Sequence, residues 1–275
     1  MHDSNDGMIE IKGLRFFYRE WPCRSNDSRD QLVLLHGASG NVASWEPIAA
    51  GLQEKFDLLA IDLRGHGYSS WDPDGDYSAR TMADDVSKII SAFNFNSYSL
   101  IGHSMGGRVA IALAENPPAG LRRLVIEDIR PQPHSLMGVP RQERFASFEE
   151  AISMFLESNP NALAEAQAWA KRLMRTEDGA LTWQFDRVMR DPNVDRGHMS
   201  AEEAWSSFLN ITVPTLVIRG ETSELLKANE ADDMAASGQN CRLVTIPNAG
   251  HRVHGDQPDA FLEAVMPFLL KQDSR

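Results

Sequence analysis

A serine hydroxyl attacks a carbonyl carbon only when it is held exposed beside a base and donors await the oxyanion that forms. Gly102-His103-Ser104-Met105-Gly106 offers Ser104 such a setting. The apolar run Ser97–Ile101 precedes it and Gly107–Ala114 follows with a helical, alanine-rich pattern, so the segment reads as strand, sharp turn, helix. The glycines at 102 and 106 fall where side chains would collide across so tight a turn. G-x-S-x-G by itself is a weak pattern, because both residue types are common in loops; the strand before it and the helix after it make Ser104 the candidate nucleophile. The base must come from another segment. His198, His251 and His254 follow the serine and lie near turns. His251 closes Val244–His251, a short strand and then a glycine-containing loop, which puts an imidazole at the carboxyl edge of a sheet. His254 shares that loop, and His198 sits in a polar stretch with no strand before it.

Two further segments join these. Gln31–Leu35 runs into His36-Gly37-Ala38-Ser39-Gly40, and Leu58–Ile61 runs into Asp62-Leu63-Arg64-Gly65-His66-Gly67. Together with the elbow and the His251 loop they strongly resemble the α/β-hydrolase superfamily, over nearly the whole chain. The resemblance implies the order nucleophile, acid, histidine, and therefore His251 as base. It implies an oxyanion hole from the backbone N–H groups of Ala38 and Met105, and a structural role for the D-x-R-G-x-G turn. Serine at the elbow separates the chain from dehalogenases and epoxide hydrolases, which carry aspartate there. His103 before the serine is similar to the esterase, thioesterase and amidase pattern.

The acid has two candidate positions in such proteins. After the seventh strand the chain reads Thr215–Leu226 with no aspartate, which leaves Glu224 and, less well placed, Glu221. After the sixth strand it reads Leu124–Pro131, with Asp128 in Asp128-Ile129-Arg130-Pro131. That D-I-x-P segment is similar to one in a subgroup of bacterial esterases and enamide hydrolases whose acid corresponds to Asp128. Asp128 is the first choice and Glu224 the alternative. Either would hold the imidazole tautomer and stabilise imidazolium. Arg108, Arg130 and Arg219 lie close in sequence to these residues and are candidates to bind a substrate carboxylate or to pair with neighbouring acids. Arg130, with Arg108 beside it, is the first of them to test.

The formal charge of −12 disfavours nucleic acid and anionic membrane as partners. Two cysteines, Cys23 and Cys241, have neither metal-ligand spacing nor a disulfide framework, which suits a reducing compartment. The amino terminus lacks the parts of a signal peptide and no apolar run reaches spanning length, so a cytoplasmic location is expected. Histidines do not cluster at zinc-like spacing and no phosphate-cradling loop ends in Lys-Ser or Lys-Thr; no metal and no cofactor is expected.

The elements that must position these residues alternate along 275 residues in the manner of one open α/β sheet. Ile9–Ile11 and Leu14–Tyr18 read as an opening strand pair, and helices are expected near 42–52, 81–93, 105–115, 227–236 and 258–270. In the last, Phe261, Leu262, Val265, Phe268 and Leu269 share one face. The alternation stops between about Pro131 and Asn210, where no strand is expected and helical patterns run over 148–157, 162–174 and 182–189. The resulting expectation is a mostly parallel sheet with helices on both faces, core residues 1–130 and 211–275, and a helical cap, 131–210, inserted after the sixth strand. The expected function is a cofactor-independent serine hydrolase acting on an ester, thioester or amide of a small molecule; the alternative is a small-molecule receptor of the same fold with little turnover. The sequence leaves the oligomeric state open.

Overall fold

Leu32–Leu35, Leu58–Ile61, Leu100–Ile101, Leu124–Ile126 and Leu216–Ile218 carry apolar residues on both strand faces, the pattern of strands covered from both sides. In the computed structural model, which describes residues 4–25, 30–132, 144–158, 167, 170, 174–177, 179–190 and 199–271, they form the centre of an eight-stranded sheet. The strands are β1 (Asn5–Ile11), β2 (Leu14–Trp21), β3 (Asp30–Leu35), β4 (Phe56–Ile61), β5 (Tyr98–His103) and β6 (Leu121–Glu127). After an insertion carrying β7 (Arg144–Phe145), β8 (Met174–Glu177) and β9 (Ala180–Trp183), β10 (Thr215–Gly220) and β11 (Cys241–Ile246) complete it. The order is β1-β2-β4-β3-β5-β6-β10-β11. The hairpin β1–β2 and its junction with β4 are antiparallel, and every pairing from β4 onward is parallel.

Successive residues of the central strands serve opposite cores, as a period of two requires. Val33, Leu35, Leu100 and Ile126 pack with Val86, Ile89 and Val109 from α2 (Ala79–Ala92) and α3 (Met105–Glu115). Leu32, Leu34, Ile101 and Val125 pack on the other face with Ile48 and Leu52 from α1 (Glu46–Gln53) and with the carboxyl-terminal helix Pro258–Leu269. Of that helix's apolar face Phe261, Val265 and Leu269 are buried, and Leu262 and Phe268 pack partly buried beside them. Loops at the carboxyl ends of β3, β5, β6, β10 and β11 thus converge on one edge, where open parallel sheets place their sites.

The insertion departs from the expected run of helices. A helix does cover Phe148–Ser158 (α4), but three strands form an antiparallel sheet in the order β7-β9-β8. The helix expected over 182–189 is instead the end of β9 and a 3-10 turn at Arg187–Arg190. Leu181, Trp183 and Phe185 recur every second residue and bury themselves with Phe145, so a strand is the way to place them on one side. Gly179, between β8 and β9, has φ +80°, a backbone that glycine adopts without steric cost. The helix expected over 162–174 falls largely outside the described residues, as do Pro133, Pro140 and His198.

The rear of the insertion is joined to the loop after β4 through the main chain. Gly67 N donates to Gln184 O and Asp186 N to Gly65 O, both at 2.7 Å, and His66 and Phe185 form an isolated β-bridge. Tyr77 Oη donates to the Asp186 carboxylate, and Asn41 Nδ2 donates to Gln184 Oε1 at 3.2 Å. Among the described residues no helix is long and apolar enough to cross a membrane.

Candidate active site

Ser104 sits between the end of β5 and the start of α3 with φ 51° and ψ −116°. A non-glycine residue there is strained by roughly 1–3 kcal/mol and persists only where its surroundings over-determine it. They do: Ser104 N donates to Glu127 O at 2.9 Å, and Ser104 O accepts from Gly107 N at 2.9 Å and Arg108 N at 3.2 Å. The flanking glycines are required by contact. A Cβ on Gly102 would lie 2.3 Å from Gly106 O, and one on Gly106 would lie 2.2 Å from Leu35 O.

Three side chains from separate loops meet at this turn. His251 Nε2 lies 2.9 Å from Ser104 Oγ, and its Nδ1 lies 2.8 Å from Asp128 Oδ2. Asp128 follows β6 directly, is wholly buried, and has a left-handed backbone, φ 51°. A buried carboxylate is costly unless its lone pairs are used. Oδ1 accepts from Gly220 N at 2.9 Å, and Oδ2 accepts from Ser223 Oγ as well as from the histidine. With a carboxylate on Nδ1, the imidazole carries its proton there and turns a lone pair toward the serine hydroxyl. Glu224 is exposed, and Glu221 Oε2 accepts from Asn248 N at 3.0 Å. The structure therefore brings Ser104, His251 and Asp128 together and leaves both glutamates apart from them.

Ala38 lies in the loop after β3, whose start meets the first turn of α3, since a Cβ on Gly106 would also fall 2.6 Å from His36 O. Its direction is fixed by the His36 ring, whose Nδ1 donates to Gly37 O at 2.8 Å and whose Nε2 accepts from Leu63 N at 3.0 Å. Met105 opens α3, where helical N–H groups have no intrahelical acceptor. The two proposed oxyanion donors thus belong to adjoining segments on the serine's edge of the sheet.

Of the arginines, Arg219 is a brace: Nε donates to Leu226 O at 2.9 Å and Nη2 to Glu221 O at 3.0 Å. Arg130, the first expected substrate contact, is ion-paired with Glu230. Among the described residues Arg108 has no carboxylate partner; its Nε donates to Arg130 O at 3.4 Å, and its buried Nη2 has no hydrogen-bond partner there. Burial, and then the charge of Arg130, lower Arg108 to about 10. Arg130 Nε is likewise buried with no hydrogen-bond partner among the described residues, so its ion pair with Glu230 is what sets Arg130 apart from Arg108.

A second histidine–carboxylate pair lies beside the first and gives His254, a candidate base in the sequence, a different partner in Glu127. Glu127 and His254 are both wholly buried, with His254 Nδ1 2.8 Å from each carboxylate oxygen. Adjacent acids at 127 and 128 opposite histidines at 251 and 254 were the available signal. Among the described residues no group of three or more His, Cys, Asp or Glu side chains could hold a metal ion.

Buried rings here carry a stability consequence. Burial lowers both His36 and His103 to about 3, against an ordinary value of about 6.5. Their native pKa values are depressed, so the unfolded chain binds protons that the native chain does not; stability is complete above about pH 6.5 and is lost as pH falls toward 3. We expect the urea midpoint to be level above about pH 7 and to fall below about pH 6, before ordinary carboxylates titrate. A level midpoint down to about pH 4 would contradict it.

A family model described as the alpha/beta hydrolase fold matches residues 30–258. A putative esterase/lipase of Haemophilus influenzae is 29% identical, over 87% of this chain and 83% of its own. 2-(Acetamidomethylene)succinate hydrolase of Mesorhizobium japonicum is 28% identical over 90% of each chain. Among solved structures, an alpha/beta hydrolase from Novosphingobium aromaticivorans superposes with a TM-score of 0.83 at 26% identity, covering 98% of this chain and 99% of that one.

Proposed function

The chain belongs to the α/β-hydrolase fold family and is a hydrolase, and from that premise we propose a cofactor-independent serine hydrolase that cleaves an ester, thioester or amide of a small molecule through an acyl-enzyme. The observation that carries this reading is the continuous chain Asp128–His251–Ser104, with hydrogen bonds of 2.8 and 2.9 Å.

Ser104 Oγ attacks the acyl carbonyl while His251 Nε2 takes its proton. Asp128 stays ionised, holds the Nδ1–H tautomer and stabilises the imidazolium. The N–H groups of Ala38 and Met105 receive the oxyanion, in the fixed orientation that makes such donors effective. Collapse of the tetrahedral species breaks the bond to the leaving group, which His251 protonates. Water, deprotonated by the same imidazole, then releases the acid and restores Ser104. The core, residues 1–130 and 211–275, supplies this machinery, and residues 131–210 act as the cap that shapes access to it.

For the substrate we propose a small acyl compound bearing a carboxylate, held by Arg108. Its unpartnered Nη2 supports this, as does the resemblance to a hydrolase named for a succinate derivative. Long side chains on a helix lean toward its amino terminus, and in α3 that is the end carrying Ser104. Charge-assisted hydrogen bonds of about 1.5–3 kcal/mol correspond to a preference of roughly tenfold to a hundredfold. Matched esters with and without a free carboxylate test this in wild type, Arg108→Ala and Arg130→Ala. The carboxylate ester should be preferred by wild type and by Arg130→Ala, and the preference should collapse in Arg108→Ala. Preference for the neutral ester in all three would replace the carboxylate site with an apolar acyl pocket.

A further inference from the structure

Two carboxylates follow one another at the end of β6, and only Asp128 has a part in the proposed reaction. Glu127 is wholly buried, yet both its oxygens are occupied. Oε1 accepts from His254 N at 2.9 Å, and His254 Nδ1 lies 2.8 Å from Oε1 and 2.8 Å from Oε2. Neighbouring residues of a strand ordinarily point to opposite faces. The left-handed backbone at Asp128 turns the chain, and both carboxylates meet the same loop. Burial alone would raise the Glu127 carboxyl, but the facing rings of His254 and His103 hold it at about 2.

His254 has no route to the reaction. Its ring is wholly buried and stacks on Trp45 with centroids 4.5 Å apart, and its Nε2 has no hydrogen-bond partner among the described residues. It can neither touch a substrate nor pass a proton to water. What the pair does touch is the frame of the triad. The main-chain carbonyl of Glu127 accepts from Ser104 N at 2.9 Å, while its side chain holds the backbone N–H three residues beyond His251. Between them, His103 Nε2 donates to His251 O at 3.0 Å, and the His103 ring lies 4.7 Å from that of His251 and 5.2 Å from that of His254. One residue therefore ties the backbone of the nucleophile to the loop that carries the base.

We propose that Glu127 and His254 form a positioning pair that keeps His251 Nε2 in hydrogen-bond register with Ser104 Oγ. The proposal rests on the triad reading above. The loop is held before His251 by Thr222, whose N and Oγ1 both donate to Ala249 O at 2.9 Å, and at His251 itself by His103; Glu127 supplies the anchor beyond it, so that the base is fixed from both sides. Glu127→Gln keeps an acceptor for His254 N–H but sets an N–H group against Nδ1–H, and His254→Asn removes the ring.

The test is turnover per reactive serine, with active sites counted by a fluorophosphonate burst, in Glu127→Gln, His254→Asn and the double variant. Displacing a reacting group by an ångström costs on the order of a hundredfold, so kcat should fall about tenfold to a hundredfold while KM changes little. The double variant should be no worse than the poorer single one, as for two members of one contact. The low-field proton resonance of His251 Nδ1–H should shift or exchange away in each. A brace needed only for folding would lower yield and melting temperature while leaving kcat per titrated serine within about twofold of wild type; that result overturns the proposal. Should neither variant fold, hydrogen exchange on wild type decides: the amides of 252–256 must be as protected as those of β6, and rapid exchange there overturns it. Failure of the triad itself looks different, since His251→Ala would then keep its turnover whatever these variants do.

Discussion

Ser104→Ala should lower turnover by a factor on the order of 10⁶, the scale seen when the nucleophile of a serine protease is removed. It should also abolish labelling by a fluorophosphonate probe. The substitution deletes the attacking oxygen and leaves the backbone hydrogen bonds of residue 104 in place, so the fold should survive and the melting temperature should change little. Mass mapping of the labelled peptide distinguishes this from a serine elsewhere. Undiminished labelling of the variant would remove Ser104 from the mechanism.

Asp128→Asn is expected to cost about 10⁴ in turnover, with Glu224→Gln within about twofold of wild type. The reason lies in which partners can adapt. Gly220 N–H is a fixed donor, so an amide at 128 must turn its oxygen toward Gly220 and its NH₂ toward His251. Ser223 can rotate its hydroxyl to accept instead; the imidazole can comply only by moving its proton to Nε2. That proton then faces Ser104 Oγ, and the base has no lone pair for it. Measuring kcat for the two variants on one ester decides the matter. A crippled Glu224→Gln beside a normal Asp128→Asn would transfer the acid to the loop after β10.

The parts of the site that local sequence chemistry dictates are legible in the residues alone. Ser104 is marked by glycines that nothing larger can replace, and His251 by its place after the last strand. The acid was not so marked. β6 and β10 are adjacent and in register, Glu127 opposite Ile218, so the loops after them open beside one another and either can in principle face the imidazole. What separates Asp128 from Glu224 is a positive φ and complete burial against an exposed side chain, neither of which is written in residue types. The pairing of Glu127 with His254 is not legible for the same reason: His254 stands out only as a second histidine of the His251 loop, because a buried pair needs both loops in space before it exists. In the insertion, strands as short as Ala180–Trp183 hold too few repeats for a period of two to be told from one of 3.6.

The seam between the insertion and the loop after β4 includes two peptide-to-peptide hydrogen bonds, Gly67 to Gln184 and Asp186 to Gly65, beside the side-chain bonds of Tyr77 to Asp186 and Asn41 to Gln184. Amide and carbonyl partners are the same whatever side chains the neighbouring strands display. Side-chain substitutions along β7 and β9 therefore leave these two peptide-to-peptide bonds of the attachment in place. If the insertion is the cap proposed above, side chains on β7 and β9 can be exchanged without breaking these two bonds, which makes it the first segment to recombine in directed evolution of the substrate range.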